Sequence, residues 1–189
     1  MMFAEARKRL QEQRNAACLE AYRKEVKDNR PTTAQGYYLK GLVLEYDVER
    51  EGTSLVEAVE CYRMASHMIH NTDEYLFLSI ARALLKQGPE CRPASLTYIR
   101  QASATRHTPE VDLAFARYFE IGGDFGQARK HCIKAAIKGR VAGFFELASL
   151  LRQENRKLQA FAVDVVRLLA GPFLALVLGA KSRKSFDGY

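Results

Sequence analysis

Apolar residues recur along the chain at intervals of three and four, the spacing that places side chains on one face of an α-helix. Helix-start signals divide this pattern at Thr33, at Ser54 with Glu57, at Asp73, at Pro109 and at Asp124 with Gln127. Helix-stop signals occur at Gly52, Gly88–Pro89, Gly122–Gly123, Gly139 and Gly171–Pro172. Long alternation of apolar and polar residues, which would indicate strands, is missing from the sequence. The pattern therefore predicts an all-α protein of roughly ten helices.

The predicted helices repeat in pairs, because a small residue on one helix is followed by further small or medium-sized residues on the next. Small side chains let two antiparallel helices cross closely. One pair cannot bury its own apolar face, so successive pairs are expected to stack. The predicted sets are Gly41 with Ala58, Tyr62 and Ala65; Ala81 with Ala94 and Tyr98; Ala116 with Ala128, Cys132 and Ala135; Ala148 with Ala160 and Asp164; and, near the N-terminus, Ala6 with Cys18 and Tyr22.

The spacing of twelve and then seven residues in Ala116, Ala128 and Ala135 resembles that of the tetratricopeptide repeat. The segments AQGYYLKGLVLEYDVEREGTSLVEAVECYRMAS and DFGQARKHCIKAAIKGRVAGFFELASLL are similar to the Sel-one-like variant of that repeat. The resemblance covers residues 34–170. It implies a right-handed α-α superhelix (a solenoid) of four to five antiparallel helix pairs over residues 1–170, followed by an apolar C-terminal helix and basic tail over residues 171–189.

Charge and cysteine usage narrow the functional classes. The formal charge is +7, with acids concentrated in residues 41–60 and five basic residues in 129–140. A basic stretch suits an acidic protein, a membrane face or nucleic acid, although such runs usually serve solubility. The four cysteines form no CxxC pair, and the charged N-terminus does not read as a signal peptide. These features predict a cytoplasmic protein. Attachment to the surface of a membrane is the alternative location.

Motifs for catalysis are missing from the sequence: it has no nucleophile elbow, phosphate-binding glycine loop or dinucleotide fingerprint. His67 and His70 share a helix face near Asp73 and Glu74, but histidines at the end of a surface helix are far commoner than a metal site. The prediction is a non-catalytic protein without cofactor or metal.

In the family that the chain resembles, the first helix of each pair lines a concave groove that receives a peptide or helix. The same positions here combine an apolar floor with arginines, which suit carboxylates of an acidic partner segment. Surface ion pairing among these residues is the alternative explanation. The residues predicted to line this groove are Tyr38, Glu45, Arg82, Lys86, Leu113, Arg117, Phe145 and Arg152.

Residues 158–180 are the most apolar part of the chain. Asp164, Arg167 and the Gly171–Pro172 break make a membrane span costly. The segment is predicted instead to contain the last repeat helix and a short terminal helix, which either folds back into the groove or meets another protein or a second copy of the chain. Association through residues 172–180 is the prediction. The residues expected to mediate that association are Phe173, Leu174, Leu176, Val177 and Leu178.

Together these features predict a scaffold, adaptor or assembly chaperone that binds another protein in its groove. Two alternatives belong to other classes. One is a membrane-associated adaptor, tail-anchored or peripheral, which the basic flank of the apolar tail would suit. The other is a nucleic-acid-binding helical repeat protein that uses residues 129–140. Such proteins need stacking and polar side chains repeated at one helix position, and the sequence has no such series.

Overall fold

The computed structural model describes residues 31–46, 54–69 and 73–168, and in these ranges the regular secondary structure is entirely helical. The predicted all-α class is confirmed at this level. The helices are α1 (Ala34–Tyr46), α2 (Ser54–Met68), α3 (Glu74–Gln87), α4 (Arg92–Thr105), α5 (Pro109–Ile121), α6 (Phe125–Ile137), α7 (Ala142–Gln153) and α8 (residues 157–168), with one 3₁₀ turn at Pro89–Cys91.

Several helix ends lie where the sequence predicts them, for local reasons. The Asp73 carboxylate accepts a hydrogen bond from the Tyr75 backbone N–H at 2.9 Å, and the Asp124 carboxylate accepts one from Gln127 N–H at 3.0 Å. Each satisfies a backbone donor that the first helical turn leaves unpaired. Gly139 ends the α6 segment with φ +86°, a left-handed conformation that glycine adopts without steric cost.

Successive helices pack in pairs, as hairpins. Helix α1 packs on α2, α3 on α4, and α5 on α6, while α2 also contacts α3 and α6 contacts α7. In the last hairpin, α8 buries Ala160 against the core and Arg152 of α7 pairs with Asp164 of α8.

The chain divides into two compact units, residues 1–106 and 107–189. In the first, a core forms around Tyr38, Tyr62 and Ile80. In the second, a separate core forms around Ala116, Cys132 and Leu150. Each unit thus buries an apolar cluster of its own, which is the main source of its stability.

The second helices of three hairpins bury residues at the same relative spacing. Three residues at spacings of four and three are almost completely buried in each, and they face the preceding helix. These sets are Ala58, Tyr62 and Ala65 on α2; Ser95, Ile99 and Ala102 on α4; and Ala128, Cys132 and Ala135 on α6.

The α4 register corrects one sequence prediction. Ala94 and Tyr98 were expected to face α3, but Ala94 is exposed and Tyr98 is only partly buried. Ser95 faces α3 instead, and its hydroxyl donates a hydrogen bond to the Ala81 carbonyl oxygen at 3.0 Å. The buried face of α4 is thus shifted by one residue from the predicted one, to Ser95 and Ile99.

Close helix approach explains two glycines. A Cβ atom on Gly41 would lie 2.6 Å from the Tyr62 ring, and one on Gly143 would lie 2.6 Å from the backbone nitrogen of Ala136. Gly41 sets the α1–α2 contact within a hairpin, as the sequence predicts. Gly143 sets the α6–α7 contact between one hairpin and the next.

Within the described residues, every helix is too short or too polar to traverse a bilayer. The C-terminal residues predicted to mediate association, 173–178, lie outside those residues.

Candidate functional site

Two of the first-unit residues of the predicted groove, Tyr38 and Glu45, are buried, whereas Arg82 is partly buried and Lys86 is exposed. Tyr38 is completely buried, with its ring centroid 5.5 Å from that of Tyr62 and its hydroxyl 3.3 Å from Ser79 Oγ. Glu45 is 1% exposed. Neither side chain contributes to an accessible surface.

Glu45 is the centre of a polar cluster that joins α1, α2 and α3. Arg82 donates from Nε and from a terminal nitrogen to the two Glu45 carboxylate oxygens at 2.5 and 2.6 Å, and Lys86 Nζ lies 3.0 Å away. The Tyr62 hydroxyl donates to the same carboxylate at 2.8 Å. Burial alone would raise the pKa of Glu45, but the hydrogen bonds and positive charges of Arg82 and Lys86 outweigh it and lower the pKa.

The Arg82 guanidinium is therefore already hydrogen-bonded to a carboxylate of its own chain. A two-point Arg–carboxylate pair of this kind is among the stronger polar contacts in proteins. An acidic partner would have to compete with Glu45 for it. Among the predicted groove residues, Arg82 and Lys86 thus form one ion cluster with the buried Glu45.

The second-unit residues of the predicted groove are placed differently, because they reach solvent. Arg117 on α5 and Arg152 on α7 have side chains 60% and 56% exposed, and the Phe145 side chain on α7 is also more exposed than buried. Leu113 on α5 is half-buried. Gln153 donates to Glu120 at 3.0 Å, which joins the C-terminal ends of α5 and α7. We call Leu113, Arg117, Phe145 and Arg152 the first-helix face.

Phe145 is held in place by charged neighbours. The Arg167 guanidinium lies 4.1 Å from the centroid of the Phe145 ring, a cation–π contact. Asp164 pairs with both Arg167 and Arg152. The exposed ring therefore sits on an ordered surface, where fewer side chains would have to be immobilised when a partner binds.

A second buried carboxylate, Asp112, was not predicted from the sequence. Its carboxylate oxygens lie close to three basic groups: 3.1 Å from His131 Nδ1, 3.3 Å from His107 Nε2 and 2.6 Å from Lys138 Nζ. Burial would raise the pKa of Asp112, but the hydrogen bonds from Lys138, His131 and His107 lower it overall. The signal in the sequence was an acidic residue on the apolar face of α5, between Val111 and Phe115.

His131 lies between aromatic rings rather than beside a nucleophile. Its ring stacks on Phe115 and Phe119 at centroid distances of 5.0 and 5.7 Å. The neighbouring Cys132 is buried, and burial together with the charges of Glu146 and Glu120 raises the pKa of its thiol to about 12. That thiol stays protonated at neutral pH and is a poor nucleophile.

The basic stretch at residues 129–140 is largely neutralised inside the second unit. Arg129 pairs with Glu154, Lys138 with Asp112, and Arg140 with Glu110. Lys130 and Lys134 are exposed. This pairing leaves less positive charge for phosphate contacts than the sequence suggests.

The histidine pair considered as a metal site is only half described, because His67 lies in α2 whereas His70 falls outside the described residues. Among the residues that the structure does describe, no three His, Cys, Asp or Glu side chains are grouped so that they could hold a metal ion.

Comparisons with protein-family models, curated protein sequences and solved structures find no match to this chain.

Proposed function

We propose that the chain is a non-catalytic protein-interaction scaffold or assembly chaperone, which binds a peptide or helix of another protein through the first-helix face. The proposal extends the observed hairpins to a right-handed superhelix of four to five helix pairs of the tetratricopeptide or Sel-one-like kind. Repetition of the buried register on α2, α4 and α6 supports that extension.

The observation that carries the proposal is Phe145, an aromatic side chain 55% exposed on a first helix whose other large apolar residues are mostly buried. Large aromatic side chains with nearby arginines are over-represented at the energetic centres of protein interfaces. Arg117 and Arg152 are each paired with an acid of the chain, Glu120 and Asp164, but stay 60% and 56% exposed, which leaves guanidinium donors for a partner segment carrying carboxylates. A cytoplasmic location is part of the proposal.

The test has two stages. A pull-down with mass spectrometry first identifies a partner, and its affinity for the purified full chain is then measured by titration calorimetry. Phe145→Ala combined with Arg117→Glu should weaken binding at least about 30-fold, since truncating an interface hot spot costs about 2 kcal/mol or more.

Lys134→Glu is the matched control, because Lys134 is an exposed cation on a second helix. It should leave the affinity within about twofold, as expected for a charge outside the interface. Equal losses for the two variants would mean that binding depends on overall charge, and an unchanged affinity in the double variant would refute the first-helix face as the site.

The salt dependence of the binding affinity distinguishes the nucleic-acid alternative from this proposal. Binding that involves several phosphate contacts loses about 10³-fold or more between 50 and 200 mM salt, whereas a mainly apolar protein interface changes little. Binding of an unstructured RNA oligonucleotide with a steep salt slope, abolished by Lys130→Glu with Lys134→Glu, would favour the alternative.

A further inference from the structure

Helix α8 presents an unusually apolar outer surface. Its inner side buries Ala160 and packs Val163 against the core of the second unit. On the other side, Leu158, Phe161, Val165 and Leu168 are 87%, 68%, 36% and 67% exposed. We call these four residues the α8 stripe. Their spacings of three, four and three are those of a seam that receives another helix.

The preceding hairpin shows what covers the same surface. Aligning Ala128 with Ala160 places Ala136 of α6 at the position of Leu168 of α8, since each lies eight residues further on. Ala136 is 5% exposed, because the first helix of the next hairpin, α7, packs there at Gly143.

The same alignment relates Arg129 of α6 to Phe161 of α8. Arg129 pairs with Glu154, which directly follows α7. At Phe161 and Leu168 the α8 stripe therefore occupies the positions at which α7 and the residue after it contact α6, whereas Ile133, which aligns with Val165, stays 44% exposed. The Phe161 and Leu168 part of the stripe is the surface on which the first helix of a following pair would pack.

The chain itself supplies a suitable segment. Residues 172–180 read PFLALVLGA, which as a helix would be apolar on every side, and such helices are normally buried. Nine residues of helix measure about 14 Å, against about 15 Å from Leu158 to Leu168 along α8. Residues 169–171 separate the last described residue of α8 from Pro172.

We propose that residues 172–180 form a helix that packs on the α8 stripe of the same chain and covers it. Covalent connection favours this occupant, because a short linker gives an effective concentration of about millimolar. The apolar C-terminal segment would then be an intramolecular cap, not the surface for association with a partner or a second copy that the sequence predicts. This inference does not depend on the first-helix face.

Hydrogen–deuterium exchange on the full chain tests the cap. Amides of residues 172–180 should be protected in the unmodified protein. Val165→Gln with Phe161→Gln should speed their exchange at least about tenfold, because it removes the apolar contact that holds the helix. Val166→Gln is the matched control, since Val166 is exposed on α8 outside the stripe, and it should leave the exchange unchanged.

Disulfide trapping identifies the occupant. Phe161→Cys with Val177→Cys, in a chain carrying Cys18→Ser and Cys91→Ser, should give a monomeric disulfide, whereas Gln159→Cys with Val177→Cys should not. A disulfide-linked dimer would instead assign the stripe to a second copy and overturn the proposal. Full exchange of residues 172–180 in solution, or protection only on adding phosphatidylcholine–phosphatidylglycerol vesicles, would also overturn it.

Discussion

At the scale of single residues, the stability of this protein depends on contacts that leave no room for one additional carbon atom. Gly143 and Gly126 make a matched comparison, because both lie in helices of the second unit. A Cβ on Gly143 would meet backbone atoms of α6 at 2.6 and 2.7 Å, whereas one on Gly126 would meet only Asp124 Oδ1 at 3.4 Å. Backbone atoms cannot rotate away as a side chain can.

Gly143→Ala should therefore lower the free energy of unfolding by about 1–3 kcal/mol, the usual cost of overpacking. Gly126→Ala should instead be neutral or raise it by up to about 1 kcal/mol, because alanine favours the helix more than glycine does. Urea denaturation followed by circular dichroism measures both. Equal effects of the two substitutions would show that the α6–α7 approach is looser than described.

The Glu45 cluster predicts a particular dependence on pH. The folded-state pKa of Glu45 lies below its unfolded value, so the ionised carboxylate stabilises the fold at a pH above the unfolded value. This contribution is lost as the pH falls through the folded-state pKa. Urea midpoints measured from pH 7 down to pH 3 should fall less steeply for Glu45→Gln than for the unmodified chain, and parallel curves would contradict the assignment.

Arg82→Met tests the same cluster by removing the guanidinium that pairs with Glu45. It leaves a buried carboxylate with Lys86 and Tyr62 but without its two-point partner, which should cost about 3 kcal/mol. Arg117→Met is the control, because Arg117 is mostly exposed and pairs with Glu120 three residues away on its own helix. It should change the unfolding free energy by less than about 0.5 kcal/mol, so a similar cost for both would argue against a buried ion cluster at Glu45.

At the scale of helices, the rotation of α4 decides which of two adjacent small residues is critical. Ser95 is completely buried against α3, whereas Ala94 is exposed. Ser95→Leu should destabilise the first unit by about 2–3 kcal/mol, because it inserts volume into a packed contact and removes the hydrogen bond to Ala81.

Ala94→Leu should change the melting temperature little, as surface substitutions usually do. Thermal unfolding followed by circular dichroism separates the two variants. A larger effect at Ala94 than at Ser95 would restore the register that the sequence predicts.

At the scale of the whole chain, each compact unit has an apolar core of its own within the described residues. A fragment of residues 107–189 should therefore fold by itself, with a helical spectrum and a cooperative thermal transition. A fragment of residues 125–189, which lacks α5 and with it Ala116 and Asp112, is the control and should lose cooperativity. A non-cooperative melt of the 107–189 fragment would show that its core needs the first unit.

The sequence by itself determined the helical class, the positions of most helix boundaries and the small residues at Gly41, Ala116 and Ala128. These follow from local chemistry, since caps, glycine stops and helical periodicity act within a few residues of one another. It also identified Phe145 and Arg152 as surface candidates, because their place on a first helix could be counted from a repeat anchor. Their predicted role in binding a partner stays a prediction.

Only the tertiary structure decided which charges are internal. Glu45 and Arg82 are 37 residues apart, and Asp112 meets His131 and Lys138 from another helix. No local pattern encodes such pairs, because each depends on the rotation of one helix against another, and a shift of one residue turns a helix by about 100°. The same sensitivity explains why the buried face of α4, which lies one residue from the predicted one, could not be determined from the sequence.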